Sequence, residues 1–313
     1  MQIRSGIWPT MITPFTERGE VDYEAAARIV DWYAQRGCDG IFAVCQSSEM
    51  FYLTLEERVR LAETVVKAAR GRLEVIASGH ISPSLDGQLR ELAAMSRTGV
   101  QAVVLVTNRL AAPDEDDEAW IARAQRILDA LSGVTFGLYE CPVPYKRLMS
   151  RRTLSWCAQS GRFAFLKDTC CDAATIRDRL GWIAGAAQAA GKAPLKLFNA
   201  NSMTLLKSLR DGAAGFSGVM ANFHPELYAY LFRNFRVKSE RVERLQALLT
   251  LLSSLEDHAY PICAKQHMAG EGIPMGAGAR SMPAERFDYT ARAWLSQSKL
   301  LEQAAREALG ICV

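Results

Sequence analysis

The run FAFLKDTCC at residues 163–171 places one lysine, Lys167, at the end of a short apolar segment. An ammonium group there needs an explanation, because a buried charge is costly unless it is paired or gives up its proton. Twenty-eight residues earlier VTFGLYECP, 134–142, ends in the same manner at Tyr139. Both runs have the length and the aromatic, β-branched character of strands. As neighbouring parallel strands joined by one helix, they would bring their ends within roughly 5 Å of each other. An amine and a phenol at one mouth suggest covalent imine chemistry.

Outward from this pair the same pattern repeats. Strands are expected at 8–15 (WPTMITPF), 40–45 (GIFAVC), 73–79 (LEVIASG), 102–108 (AVVLVTN), 134–140, 163–168, 195–200 (LKLFNA) and 214–220 (AGFSGVM). Helix-period segments separate them, so the units repeat about every thirty residues, as βα units do. Eight units imply an α/β fold, a closed (β/α)8 TIM barrel. Start signals support the helices: Asp22 before YEAAARIVDWYAQ, Thr54 with Glu57 as a capping box, Ser82-Pro83, the acidic run Asp114–Glu118, and Asp172. Strands stop near residue 236. Helices follow near 238–257, 259–269 and 284–309, giving a barrel domain over 1–236 and a C-terminal helical region over 237–313 packed on it.

Composition narrows the function classes. The 313 residues are 49% hydrophobic and 23% charged, too apolar for a disordered chain. The balance of 37 basic and 34 acidic residues leaves +3, no electrostatic footprint for nucleic acid or an anionic membrane. No run of eighteen apolar residues occurs, and the opening MQIRSGIWPTMITPF lacks a signal-peptide core, so a cytoplasmic protein is expected. Cys38, Cys45, Cys141, Cys157, Cys170, Cys171, Cys263 and Cys312 form no CxxC pairs and are expected to be reduced thiols.

In such barrels the working face is the carboxyl end of the strands. Alternation from Lys167 puts Phe163 and Phe165 on its own, interior face, where desolvation would lower the amine's pKa toward the nucleophilic range. The competing reading is a lysine whose head reaches solvent or pairs with Asp168. Tyr139 is either an acid/base for a substrate hydroxyl or a tyrosine packed at the rim. CQSSE, 45–49, offers consecutive donors in a turn, either a nest for a carboxylate or a polar loop closed on itself. The four histidines lack a shared metal-ligand spacing; only His80 with Glu140 offers a divalent ion two donors.

These residues resemble the dihydrodipicolinate synthase and N-acetylneuraminate lyase family of class I Schiff-base aldolases. The resemblance is carried by TMITPF (10–15), DYEAAARIVDWYAQRGCDGIFAV (22–44), SSE then LTLEER (47–58), LYECP, FLKD and GFSGVMAN (215–222), and covers nearly the whole chain. It implies a barrel with a C-terminal helical region, assembled as a homotetramer or dimer. It implies that Lys167 forms an imine with pyruvate or another 2-keto acid, that Tyr139 is the acid/base, and that no cofactor or metal is used. The family's GTTGE or GSTGE carboxylate loop falls on CQSSE, so Gln46 and Ser47 take its hydroxyl positions, with Cys45 and Ser48 in place of glycines.

Three departures argue against dihydrodipicolinate synthesis. Leu110 stands where the synthases' relay tyrosine aligns, Pro144 falls near their substrate arginine, and Asn199 replaces a glycine after strand seven. The expected function is therefore a lyase making or cleaving a C–C bond of a 2-keto acid, a 2-keto-3-deoxy sugar acid giving pyruvate and an aldehyde. Gln46, Ser47, Ser48, Asn199, Asn201 and Ser217 are the expected substrate contacts, with Tyr52 or Tyr145 as further readers of distal hydroxyls. Asn201 has an equal claim to capping helix seven. A Schiff-base dehydratase and a non-catalytic keto-acid sensor stay open.

Overall fold

The computed structural model describes residues 2–311. Its elements run β1 (Gly6–Ile7), α1 (Tyr23–Gln35), β2 (Gly40–Phe42), α2 (Leu55–Ala69), β3 (Glu74–Ala77), α3 (Leu85–Ser96), β4 (Ala102–Val106), α4 (Asp117–Ala130), β5 (Phe136–Tyr139), α5 (Arg151–Ser160), β6 (Phe163–Asp168) and α6 (Ala173–Ala189). β7 (Lys196–Asn199), α7 (Leu205–Asp211), β8 (Gly215–Phe216) and α8 (Pro225–Asn234) complete the eightfold repeat. α9 (Glu240–Leu252), α10 (Ile262–Gly270) and α11 (Tyr289–Leu309) follow. All strand pairs are parallel, in the order β1-β8-β7-β6-β5-β4-β3-β2. The ring closes through a Thr10–Phe42 bridge, where the Met11 amide donates to Phe42 at 3.0 Å and the Phe42 amide to Pro9 at 2.9 Å. The fold is a (β/α)8 barrel.

The first strand lies earlier than the sequence indicates, at Gly6–Ile7 rather than 8–15. Its partner strand explains the shift: a Cβ on Gly215 would lie 1.9 Å from the Gly6 carbonyl oxygen, so two glycines let these backbones meet. Beyond them Trp8 turns inward and packs at 5.6 Å from both Phe165 and Phe198, which fill the barrel with Phe42. The interior is thus a packed core, not a pore.

β6 carries the irregularity that matters. Phe136 pairs with Phe163 but Gly137 pairs with Phe165, so Ala164 is an extra residue. The bulge reverses the alternation: Phe163 packs on Phe136 and on Trp156 of α5, and only Phe165 and Lys167 share the interior face. The expectation that Phe163 faces inward is corrected.

The helix starts follow their capping chemistry. Asp22, Thr54 with Glu57, Asp116 and Asp172 accept first-turn amide protons. α3 is capped by Ser84, not by the Ser82-Pro83 step. Glu115, Asp117 and Glu118 of the Asp114–Glu118 run pair with Arg123, Arg147 and Arg152. One continuous core joins the barrel to α9, α10 and α11 through Leu245, Leu249, Leu255, Cys263, Met268 and Leu295. No helix among the described residues is long and apolar enough to cross a membrane.

Candidate active site

Tyr139 and Lys167 are direct cross-strand partners at the carboxyl ends of β5 and β6. The Lys167 ammonium lies 4.6 Å from the centre of the Tyr139 ring, and the two residues are 4% and 3% exposed. Burial pushes the Lys167 pKa down, opposed by Cys45, Cys141 and Glu256, and pushes the Tyr139 phenol well up. Asp168 is no partner for Lys167. The next residue on a strand faces the other way, and there Asp168 and Glu140 both bind Arg179, with Glu140 at 3.0 Å. A closed ion cluster behind the strands therefore leaves the lysine without an ion-paired carboxylate among the described residues, with Glu256 of the same cavity acting on it at longer range.

The 45–49 loop divides its polar groups between two tasks. Gln46 accepts the Tyr139 hydroxyl through Oε1 at 3.2 Å and the Cys141 thiol at 3.5 Å. The Ser47 hydroxyl donates to Thr10 Oγ1 at 3.1 Å, and the Gln46 and Ser47 amides meet no backbone acceptor among the described residues. Ser48 does not face the site. Its hydroxyl receives the Cys45 amide at 3.1 Å and lies 2.6 Å from the Met11 carbonyl and 2.7 Å from that of Ala43. It holds the loop onto β2, because successive residues of a turn cannot all point to one cavity. Glu49, in the left-handed region at φ 58°, is held by Lys265 at 2.7 Å and by the Arg280 and Ser281 amides.

Asn199 and Asn201 are likewise turned to structure. Asn199 Nδ2 donates to Thr204 and Ser208, both at 2.9 Å, and its Oδ1 accepts the Asn201 amide at 2.8 Å. Asn201 accepts the Thr204 amide at 3.0 Å, ahead of α7. The helix entry thus consumes the groups expected to read substrate hydroxyls. The Ser217 hydroxyl is fully buried with no hydrogen-bond partner, while the neighbouring Ala200, Gly218 and Val219 line the cavity. Tyr145 donates to the Asn108 carbonyl at 3.1 Å in a separate cleft; Tyr52 does reach the cavity. His80 is not joined with Glu140: it accepts the Val106 amide, contacts Gln88 at 3.2 Å, and burial lowers its pKa to about 4.

The cavity over Lys167 measures about 640 Å³. A larger groove of about 980 Å³ opens at the opposite end of the barrel between α6, α7 and α8, and holds none of the strand-end residues. Besides Gln46, Ser47, Tyr139 and Lys167, the cavity is lined by groups that strand reading missed. Thr169 and Lys146 come from loops, and Glu256, Asp257 and Tyr260 come from the C-terminal region. Partial desolvation at the cavity wall raises the pKa of Glu256, an otherwise exposed residue, with Asp257 adding and Lys167 opposing. Nothing in the local sequence signals these last three, since they follow a helix rather than a strand. Just after Lys167, Cys171 is exposed and Cys170 half-buried, and burial pushes Cys170 up to about 12. Cys312 lies outside the described residues.

Known proteins share this arrangement of chain. The model of the dihydrodipicolinate synthetase family matches residues 4–291. A 4-hydroxy-tetrahydrodipicolinate synthase of Ruegeria pomeroyi is 30% identical over 224 residues, 72% of this chain and 73% of that protein. The synthase of a Jannaschia species is 30% identical over 171 residues, 55% of this chain and 57% of its own length. The structure of YagE from Escherichia coli K12, a member of the dihydrodipicolinic acid synthase family in complex with pyruvate, superposes with a TM-score of 0.83. It is 19% identical and covers 98% of this chain and 99% of its own.

Proposed function

The chain belongs to the dihydrodipicolinate synthetase family, and from that premise we propose that it is a Schiff-base carbon–carbon lyase acting on a 2-keto acid, with pyruvate as the keto half. The observation that carries the reading is the cross-strand pair: a desolvated lysine without a carboxylate partner, beside a phenol. Burial favours the neutral amine of Lys167, which attacks the keto carbon. Tyr139 gives its proton to the departing hydroxyl, so water leaves and a positive imine forms beside a phenolate. The phenolate then removes the C4 hydroxyl proton, the C3–C4 bond breaks to release the aldehyde, and its electrons neutralise the imine as an enamine. Tyr139 returns the proton to C3, and water releases pyruvate and the free amine.

Gln46 favours this closed cycle. Its carbonyl oxygen accepts the Tyr139 proton but has no hydroxyl to pass one onward, so the phenol exchanges its proton with the substrate itself. The lysine supplies the electron sink, so the cycle calls for no cofactor. Ser47 and the Gln46 and Ser47 amides hold the carboxylate. For the aldehyde half a hydroxylated chain, as in a 2-keto-3-deoxy sugar acid, suits Lys146, Glu256 and Asp257 at the outer cavity. These take the role first expected of Asn199, Asn201 and Ser217.

Borohydride reduction with pyruvate, followed by peptide mass mapping, tests the imine, and product analysis tests the reaction. An adduct on Lys167 with pyruvate plus an aldehyde from a sugar acid supports the lyase. Water loss without C–C cleavage means a dehydratase, and tight binding without adduct or turnover overturns the reading in favour of a sensor.

A further inference from the structure

We propose that Tyr260, carried into the barrel mouth by the C-terminal region, is a carboxylate-binding residue of the keto-acid site, acting beside Ser47. The inference rests on the Schiff-base reading of Lys167.

A directional hydrogen-bond chain leads to it. The Tyr33 hydroxyl donates to Asn222 Oδ1, which fixes the amide so that Nδ2 faces Tyr260. Nδ2 donates to the Tyr260 oxygen at 3.1 Å, and also reaches the Thr10 and Val219 carbonyls at 2.9 and 2.8 Å. With its oxygen already accepting, the Tyr260 phenol must spend its own proton forward. Ser47, whose own proton goes to Thr10 Oγ1 at 3.1 Å, neighbours the phenol and lines the same cavity. No carboxylate or backbone carbonyl among the described residues takes the Tyr260 proton. In the free protein the chain thus ends at the phenol, in a cavity wall shared with Ser47 and near two amides with no backbone acceptor.

An anionic carboxylate placed there is the stronger acceptor, since hydrogen bonds to an ionised group are roughly twice as strong as neutral ones. Tyr260 and Ser47 would each redirect a proton to it, joined by the Gln46 and Ser47 amides. Burial holds the phenol's pKa far above its ordinary value, so Tyr260 stays a donor wherever the enzyme works. Contacts separate its role from that of Tyr139: Tyr139 lies against Lys167 and donates to Gln46, whereas Tyr260 takes its hydrogen bond from Asn222 and neighbours Ser47.

The test compares Lys167 adducts trapped by borohydride with pyruvate and with methyl pyruvate, the uncharged ester, in the native protein and in Tyr260→Phe. Loss of one hydrogen bond to an anion should raise the half-saturating pyruvate concentration about 10- to 100-fold, while that for the ester changes less than about threefold. The maximal trapping rate should stay within about twofold. A merely structural role would weaken both ligands equally, and that result, or no change with pyruvate, overturns the proposal. Tyr260→Met also lacks the hydroxyl and packs adaptably, so the same ratio can be read if Tyr260→Phe does not fold. No Lys167 adduct in the native protein would overturn the imine reading itself, and this proposal with it. An adduct with an unchanged ratio overturns the proposal alone.

Discussion

Two lysines are buried in this molecule, and they show opposite solutions to one problem. Lys265 of α10 is fully buried, yet its ammonium meets Glu49 at 2.7 Å and the Gly278 carbonyl at 2.8 Å, over the face of Phe15 at 4.2 Å. Lys167 is nearly as buried and meets a phenol ring and open cavity, with Cys45, Cys141 and Glu256 acting on it only at longer range. Burial pushes both amines down, but Glu49 opposes the push directly at Lys265. A paired lysine is a fastener between the 45–49 loop and the C-terminal region. In the proposed reading the unpaired one is the nucleophile, kept at a cost in stability.

Substitutions can break or sharpen this contrast. The largest effect is expected from Lys167→Ala: borohydride adduct and turnover should fall to the uncatalysed level, whereas Lys265→Met in a folded sample should still form the adduct. Next, Tyr139→Phe should lower turnover about 10²- to 10⁴-fold, measured with a cleavable keto acid, while the Lys167 adduct still accumulates. In stability the ranking reverses. Glu49→Gln leaves the Lys265 charge buried and alone and should cost about 3–5 kcal/mol by denaturant unfolding, most of it recovered in the Glu49→Gln/Lys265→Met double variant. Lys167→Met removes a buried amine that lacks a partner and should stabilise the fold by about 1–3 kcal/mol. A loss of stability in that variant would contradict the contrast.

The smallest effect is a slope. The folded pKa of Lys167 lies below the ordinary value of 10.5, so between the two the unfolded chain binds more protons than the folded one. Stability should therefore rise with pH across that window, by up to about 1.4 kcal/mol per pH unit, and the Lys167→Met protein should lack this component. Pyruvate trapping should gain rate over the same rise, as the neutral amine becomes populated.

Much of this was legible in the chain. Apolar runs alternating with helical periods specify βα units, because each strand must be covered by its helix, and eight units close a barrel. Lys167 and Tyr139 could be found because both end strands, and strand ends in a barrel share one face. The bulge at Ala164 was not legible: nothing in FAFLKD marks the extra residue, and it alone turns Phe163 outward. Ser48 and Asn199, and Asn201 through its capping alternative, are turned to structure for a common reason. Their side chains suit substrate and backbone equally, and the nearest unsatisfied backbone or hydroxyl group claims them first.

The sequence by itself determined the barrel and the pairing of amine with phenol, since both follow from periodicity and from neighbours in chain order. Only the tertiary structure decided which polar groups reach the cavity. Glu256 approaches Lys167 from 89 residues away and Tyr260 approaches Ser47 from 213 residues away, through packing of the C-terminal region on the barrel mouth. Contacts so distant in sequence leave no local pattern. They are fixed by how surfaces bury against each other, with no trace in the order of residues around them.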